Sequence, residues 1–133
     1  MERRLISIVL FCLYLGAVAV LCFAHGDQLP DLPSTWFGIP SDKVAHALMF
    51  MPFPILSYQA FRPKRAENIW KAVTLTIFTF TGAGVASATE KIQSMLAYRS
   101  YELQDLIADC IGLTAGAVIC AAIIFINSKK AVK

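Results

Sequence analysis

Four long apolar stretches alternate with short polar segments along the chain, at residues 5–24, 44–61, 70–89 and 106–127. An α-helix needs about 20 apolar residues to cross the ~30 Å of hydrocarbon in a bilayer, and each stretch is close to that length. The pattern therefore predicts an all-α fold, a polytopic bundle of four transmembrane helices. It also predicts that residues 1–133 form a single transmembrane domain.

The second stretch differs from the other three because Pro52 and Pro54 lie inside it. Proline has no backbone N–H, so these two residues leave the carbonyls of Leu48 and Phe50 without their usual helical donors. Sharp kinks in helices are typically found at such positions. We therefore expect the second helix to be interrupted and to bend near its middle.

Basic residues are distributed unevenly among the polar segments. Nine of the twelve Lys and Arg residues lie near the N-terminus, between the second and third stretches or at the start of the third, or after the fourth. Because Lys and Arg are retained on the cytoplasmic side of membranes, both termini are predicted to be cytoplasmic. The two remaining segments are then external, and together with Asp109, one turn into the fourth stretch, they hold seven of the nine acidic residues.

Composition agrees with a membrane protein, since 57% of the residues are hydrophobic and the mean hydropathy is +0.61. The basic residues are split among the predicted cytoplasmic segments, which membrane topology explains, so nucleic-acid binding is not expected. The four cysteines lie within the apolar stretches without C-x-x-C spacing, which favours small apolar residues over metal ligands. The chain lacks P-loop, H-E-x-x-H and nucleophile-elbow signatures, and no cofactor is predicted.

The segment TEKIQSMLAYRSYELQDLIADCIG, residues 89–112, places several charges beside two apolar helices. Asp105, Asp109 and Gly112 are spaced i, i+4, i+7 and share one helical face. Gly116 extends this face as G-x-x-x-G, a pattern that allows close helix packing. Carboxylates near hydrocarbon are expensive, so this acidic face is expected to point at a neighbouring helix or at water.

The second helix opens with SDKVAHAL, in which Asp42 and His46 also share a face and Ser41 is a candidate N-cap. Each of these residues has an ordinary structural interpretation, such as a satisfied core histidine or a dipole-compensating first turn. Their number favours a site instead. The side chains able to reach one outward-facing cleft are Asp42, Lys43, His46, Glu90, Gln93, Arg99, Asp105 and Asp109.

Three segments of the chain resemble the VanZ-like family of small bacterial membrane proteins: DKVAHALMF, EKIQ and RSYELQDLIADCIG. The resemblance covers about residues 41–125. Residues that match the family pattern are Asp42, Lys43, His46, Glu90, Gln93, Arg99, Ser100, Asp105 and Gly112. Asp109 departs from it, because the family usually has Asn there, so a role that needs a neutral amide is in doubt.

The resemblance implies a multi-pass protein of the bacterial cytoplasmic membrane, and the distribution of basic residues predicts that its polar site faces outside. The founding members are linked to teicoplanin resistance, whereas most of the family has no assigned activity. The matching residues, together with Asp109, are the expected ligand-binding set. Lys43 and Arg99, near two helix N-termini, favour an anion in this cleft, although Arg99 is alternatively explained by pairing with Glu102 or Asp105.

Three functions remain open from the sequence. The first is binding or modification of membrane lipid or a lipid-linked cell-wall precursor, which would lower susceptibility to glycopeptides such as teicoplanin. The second is an intramembrane hydrolase or transferase that uses His46 as acid or base with Glu90 or Asp105. The third is a structural subunit whose charges fix helix register. Homo- or hetero-oligomers through the small-residue faces are compatible with all three, and no metal site is expected, because one histidine with acids on three helices lacks diagnostic spacing.

Overall fold

The computed structural model describes residues 2–24, 33–63, 67–97 and 102–130, without the side chains of 129 and 130. Its helices are α1 (Glu2–Phe23), α2 (Ser41–Phe50), α3 (Pro52–Phe61), α4 (Asn68–Gln93) and α5 (Leu103–Lys130). Four segments are long and apolar enough to span a membrane: Glu2–Phe23, Ser41–Phe61, Asn68–Gln93 and Leu103–Ser128. The predicted all-helical, four-span fold is confirmed.

The second span is interrupted where its prolines predicted. Helix α2 ends at Phe50, α3 begins at Pro52, and Met51 lies between them with its N–H bonded to the Ala47 carbonyl at 3.1 Å. Pro52 cannot donate to the turn before it, because it has no N–H. The two halves, α2 and α3, together form one candidate span of 21 residues.

Helix α5 lies at the centre of the packing, in contact with α2, α3 and α4. Its G-x-x-x-G face meets the second span directly, because a Cβ at Gly112 would overlap the Ala47 carbonyl and one at Gly116 would overlap that of Met51. The small-residue face on α5 is therefore a close helix contact, as its spacing predicted. Phe50, fully buried, belongs to the apolar core beside this contact.

Contacts between helix termini define two ends of the bundle. At the polar end, α1 and α4 finish while α2 and α5 begin, and Gln93 Nε2 donates to the Cys22 carbonyl at 2.8 Å. At the basic end, where α4 begins and α5 finishes, Lys71 Nζ donates to Ser128 Oγ at 3.1 Å. Arg3 also lies at the basic end, where it lines a cavity of about 330 Å³ between α1, α3 and α5.

The described part of the loop before α2, residues 33–40, makes a tight turn. A two-residue antiparallel ladder pairs Thr35–Trp36 with Ile39–Pro40, and both turn residues between them, Phe37 and Gly38, have positive φ. This matches the primed turns that tight hairpins prefer. The expectation that Ser41 caps α2 is wrong. Ser41 is the first helical residue, and Pro40, which precedes it, has no side chain to accept a hydrogen bond.

Candidate functional site

Lys43 lies at the centre of one charged cluster at the polar end. Its ammonium is 2.8 Å from Asp42 and 2.5 Å from Glu102, and it also pairs with Asp105. We call these four residues the lysine cluster. Asp42 comes from the same first turn of α2, whereas Glu102 and Asp105 lie at the start of α5, so Lys43 joins the beginnings of two helices.

The lysine cluster changes the expectation that Lys43 helps to bind an anion. The sequence placed Lys43 as a free cation beside a helix N-terminus, but three carboxylates surround its ammonium. An ammonium has only three N–H donors, so little capacity remains for an external anion. Lys43 is therefore better described as a link between α2 and α5 than as an anion ligand.

His46 lies one turn deeper along α2 and makes a different contact. Its Nδ1 forms a 2.9 Å hydrogen bond with Oδ1 of Asp109, and its Nε2 is 3.7 Å from Oδ2 of Asp105. The sequence suggested Glu90 or Asp105 as the partner. Asp109 is closer because it lies one turn further into α5 than Asp105 does, level with His46 along the interface between α2 and α5.

Glu90 completes a second group of side chains, which we call the buried trio: His46, Glu90 and Asp109. Each residue offers one ligand-type atom, and these atoms lie within 4.8 Å of one another. The trio is removed from solvent, with exposed fractions of 8% for His46, 1% for Glu90 and 0% for Asp109. Three helices, α2, α4 and α5, therefore bring three titratable groups together at the polar end.

Hydrogen bonding within the trio is incomplete. Oδ2 of Asp109 is buried and has no hydrogen-bond partner among the residues that the structure describes. From the described part of the chain, Glu90 accepts only a long contact of 3.5 Å, from the backbone N–H of Glu102. Buried polar atoms nearly always have partners in folded proteins, so an unpaired carboxylate oxygen indicates that another group belongs there.

Gln93 belongs to neither the lysine cluster nor the buried trio, because its side chain makes a hydrogen bond elsewhere. Although only 2% of it is exposed, its amide donates to the Cys22 carbonyl in the last turn of α1. The last carbonyls of a helix have no partner within the helix, so Gln93 acts as a cap between α4 and α1. Arg99 and Ser100, which the family resemblance placed in the site, lie outside the described residues.

Glu102 is a member of the lysine cluster that sequence reasoning had not identified. It was considered only as a partner for Arg99, whereas the structure pairs it with Lys43. The available signal was its i, i+3 spacing from Asp105, which puts both carboxylates on one side of the first turn of α5.

Comparison with known proteins gives one finding. The family model described as VanZ/LLP1 matches residues 11–126, which is most of the chain and includes every residue of the lysine cluster and the buried trio. No curated protein and no solved structure matches the chain.

Proposed function

Because this chain belongs to the VanZ/LLP1 family of membrane proteins, we propose that it binds or modifies the polar group of an envelope lipid at the buried trio. The ligand class is a membrane lipid or a lipid-linked cell-wall precursor, approached from the outer leaflet. Lowered susceptibility to teicoplanin would then follow from a change in envelope lipid or precursor.

Burial of the trio is the observation that supports this proposal. Ionisable side chains inside a membrane span are expensive, and they typically mark functional sites or pair with one another. His46 and Asp109 do pair, at 2.9 Å, but Glu90 and one oxygen of Asp109 have acceptor capacity that the described residues leave unused. A ligand that donates hydrogen bonds would satisfy both.

The chemistry of the trio favours one kind of polar group. Two carboxylates and an imidazole are rich in acceptors, while the ammonium of Lys43 is already surrounded by carboxylates. Hydroxyl and amine groups, as in sugars and amine headgroups, therefore fit better than a bare phosphate. Any phosphate contact is assigned to Arg99, whose guanidinium offers a fork of N–H donors.

Lipid analysis of the purified protein tests this proposal. We expect wild-type protein to retain a hydroxyl- or amine-bearing envelope lipid that His46→Gln loses, while both remain monodisperse and equally resistant to thermal unfolding. Glu67→Gln is the control, since it removes an exposed carboxylate that precedes α4 at the basic end. Equal lipid retention in wild type and His46→Gln would contradict the proposal.

Susceptibility to teicoplanin provides the cellular readout. In a host without its own copy, wild-type protein should raise the inhibitory concentration of teicoplanin, and His46→Gln should not. If wild type retains the lipid without altering susceptibility, the resistance role is wrong while lipid binding stands.

An intramembrane hydrolase or transferase is the second candidate, and the His46–Asp109 hydrogen bond favours it. A carboxylate that fixes one imidazole nitrogen leaves the other to transfer a proton, as in many acid–base sites. Here that second nitrogen is 3.7 Å from Asp105. Asp109→Asn separates the two candidates. Its amide preserves a polar contact for binding, whereas loss of product formation with retained lipid would favour the enzyme.

A structural lock is the third candidate, and the lysine cluster favours it. Lys43 connects the starts of α2 and α5 through three carboxylates, which would fix the relative register of these helices. Under this interpretation, changes in the buried trio would reduce stability and activity together. Loss of lipid from a fully stable His46→Gln protein would exclude it.

A further inference from the structure

We propose that the buried trio is a binding site for one divalent metal ion, with Zn²⁺ the best match to its ligands. His46, Glu90 and Asp109 approach from three different helices and offer ligand atoms within 4.8 Å of one another. The inference deepens the proposed function, because it uses the same site, but metal binding is measured independently of lipid.

The unpartnered oxygen of Asp109 points to a cation. This carboxylate is fully buried, and while its Oδ1 bonds with His46, its Oδ2 has no partner within the described part of the chain. Glu90, also buried, adds a second carboxylate nearby. Two ionised carboxylates buried this close repel each other, so the site favours uptake of a proton or of a positive charge between them.

Lys43 does not supply that positive charge. Its ammonium is held by the lysine cluster, in contact with Asp42, Glu102 and Asp105. These three carboxylates also offer ligand atoms within 4.8 Å of one another, but they surround Lys43. Among the described residues the two acidic groups therefore differ: a lysine ammonium neutralises the first, whereas the basic group within the buried trio is the His46 imidazole, which in its neutral form leaves both carboxylates uncompensated.

The geometry around His46 is compatible with coordination. Its Nδ1 lies 2.9 Å from Oδ1 of Asp109, and two adjacent ligands of a tetrahedral ion with bonds of about 2.1 Å are separated by about 3.4 Å, so a shift of about 0.5 Å would admit the ion. When Nδ1 is a ligand, the neutral imidazole carries its proton on Nε2. That nitrogen faces Oδ2 of Asp105 at 3.7 Å, and a carboxylate behind a metal-bound histidine is a common orienting partner.

Ligand types select the class of ion. Mg²⁺ and Ca²⁺ prefer sites composed entirely of oxygen, whereas one imidazole nitrogen with two carboxylate oxygens suits Zn²⁺ and similar transition metals. Three protein ligands leave a coordination position open, as in catalytic zinc sites. A hydroxyl of the proposed lipid ligand would be suited to that position.

This proposal departs from the sequence expectation of no metal site for a structural reason. The ligands come from separate helices, so no short-range spacing reveals them. Asp109 also stands where the family usually has Asn, and an amide is a weaker and uncharged ligand. The site is therefore proposed for this chain and for relatives with an acid at this position.

Titration with Zn²⁺ tests the proposal. The full chain would be purified in detergent, treated with chelator, and titrated by calorimetry, with Co²⁺ absorption as a spectroscopic report of coordination. Because Cys12 and Cys110 are exposed and thiols bind zinc, the titrations use a background with Cys12→Ser and Cys110→Ser. We expect one ion per chain.

Variants separate this site from other acidic groups. Asp109→Asn and Glu90→Gln should each weaken Zn²⁺ binding at least tenfold, whereas Glu102→Gln should leave it unchanged. Glu102 is the matched control because it lies at the same end of the bundle and its carboxylate belongs to the lysine cluster. Asp109→Asn restores the usual family residue, so its fold is expected to survive.

Two results would overturn the proposal: wild-type protein that binds no Zn²⁺, or undiminished binding in both Asp109→Asn and Glu90→Gln. Loss of binding in Glu102→Gln to the same extent as in Asp109→Asn would also overturn it, because binding would then follow net charge. The proposed function can be refuted independently of the metal site. Zn²⁺ binding at the trio with equal lipid retention in wild type and His46→Gln would leave the metal site in place and refute lipid recognition there.

Discussion

Replacing Lys43 with Met should destabilise the bundle strongly, because it removes the cation that links α2 to α5. The side chains of Lys43 and Asp105 are only 11% and 13% exposed, whereas Asp42 and Glu102 are 57% and 49% exposed. After the substitution, the two exposed carboxylates can be solvated by water. Asp105 cannot be solvated as readily, so it determines most of the cost.

The size of the effect follows from this difference in burial. Removing one partner of a buried ion pair destabilises a protein by roughly 3–5 kcal/mol, while each exposed pair contributes about 0–1 kcal/mol. We therefore expect Lys43→Met to lower the free energy of unfolding by about 3–5 kcal/mol. Met preserves the length and apolar stem of Lys, so the change tests charge rather than packing.

A double-mutant cycle with Asp105→Asn measures the pair directly. Adding Asp105→Asn to Lys43→Met should recover at least about 1.5 kcal/mol, because the stranded carboxylate becomes a neutral amide. The assay is reversible unfolding in mixed micelles, and Lys91→Met is the control, since the exposed Lys91 should change stability by at most ~0.5 kcal/mol. If Lys43→Met costs under about 1 kcal/mol, the lysine cluster is not a structural link and this account of it is wrong.

Three further predictions concern packing, capping and topology. Gly112→Ala should lower the free energy of unfolding by about 1–3 kcal/mol in the same assay, because the added Cβ would overlap the facing backbone. Gly84→Ala, at a position with open space, should be neutral or slightly stabilising. Equal effects of the two substitutions would contradict the close contact. Gln93→Ala should cost about 1–2 kcal/mol by removing the 2.8 Å bond to α1, and an unchanged midpoint would refute the cap. Single cysteines would replace Trp36 or Arg65 in a background without the native cysteines. A cysteine at position 36 should react with an impermeant reagent added outside the cell, and one at position 65 only with a reagent added on the cytoplasmic side. The opposite labelling would reverse the predicted orientation.

Local patterns were sufficient to predict the helices. Runs of apolar residues mark the spans, Pro52 marks the interruption between α2 and α3, and Gly112 with Gly116 marks the face of α5 that meets the second span. Each of these features depends on spacing within one helix, which sequence shows directly.

Pairing between helices could be predicted only in part. Sequence brought Lys43, His46, Asp105 and Asp109 to one end of the bundle, but which carboxylate meets which partner depends on how deeply α2 and α5 overlap. One helical turn of displacement, about 5.4 Å, exchanges Asp105 for Asp109 as the partner of His46. The sequence pattern of a single helix does not reveal that displacement between two helices.

An experimental structure in a lipid bilayer, at a resolution that shows headgroups, tests the central claim most directly. Our account predicts density for a lipid headgroup with a hydroxyl or amine within about 3 Å of Glu90 or Asp109, at the polar end of the bundle. A trio closed by protein side chains alone, with no lipid headgroup at the polar end, would contradict the account and favour a structural lock.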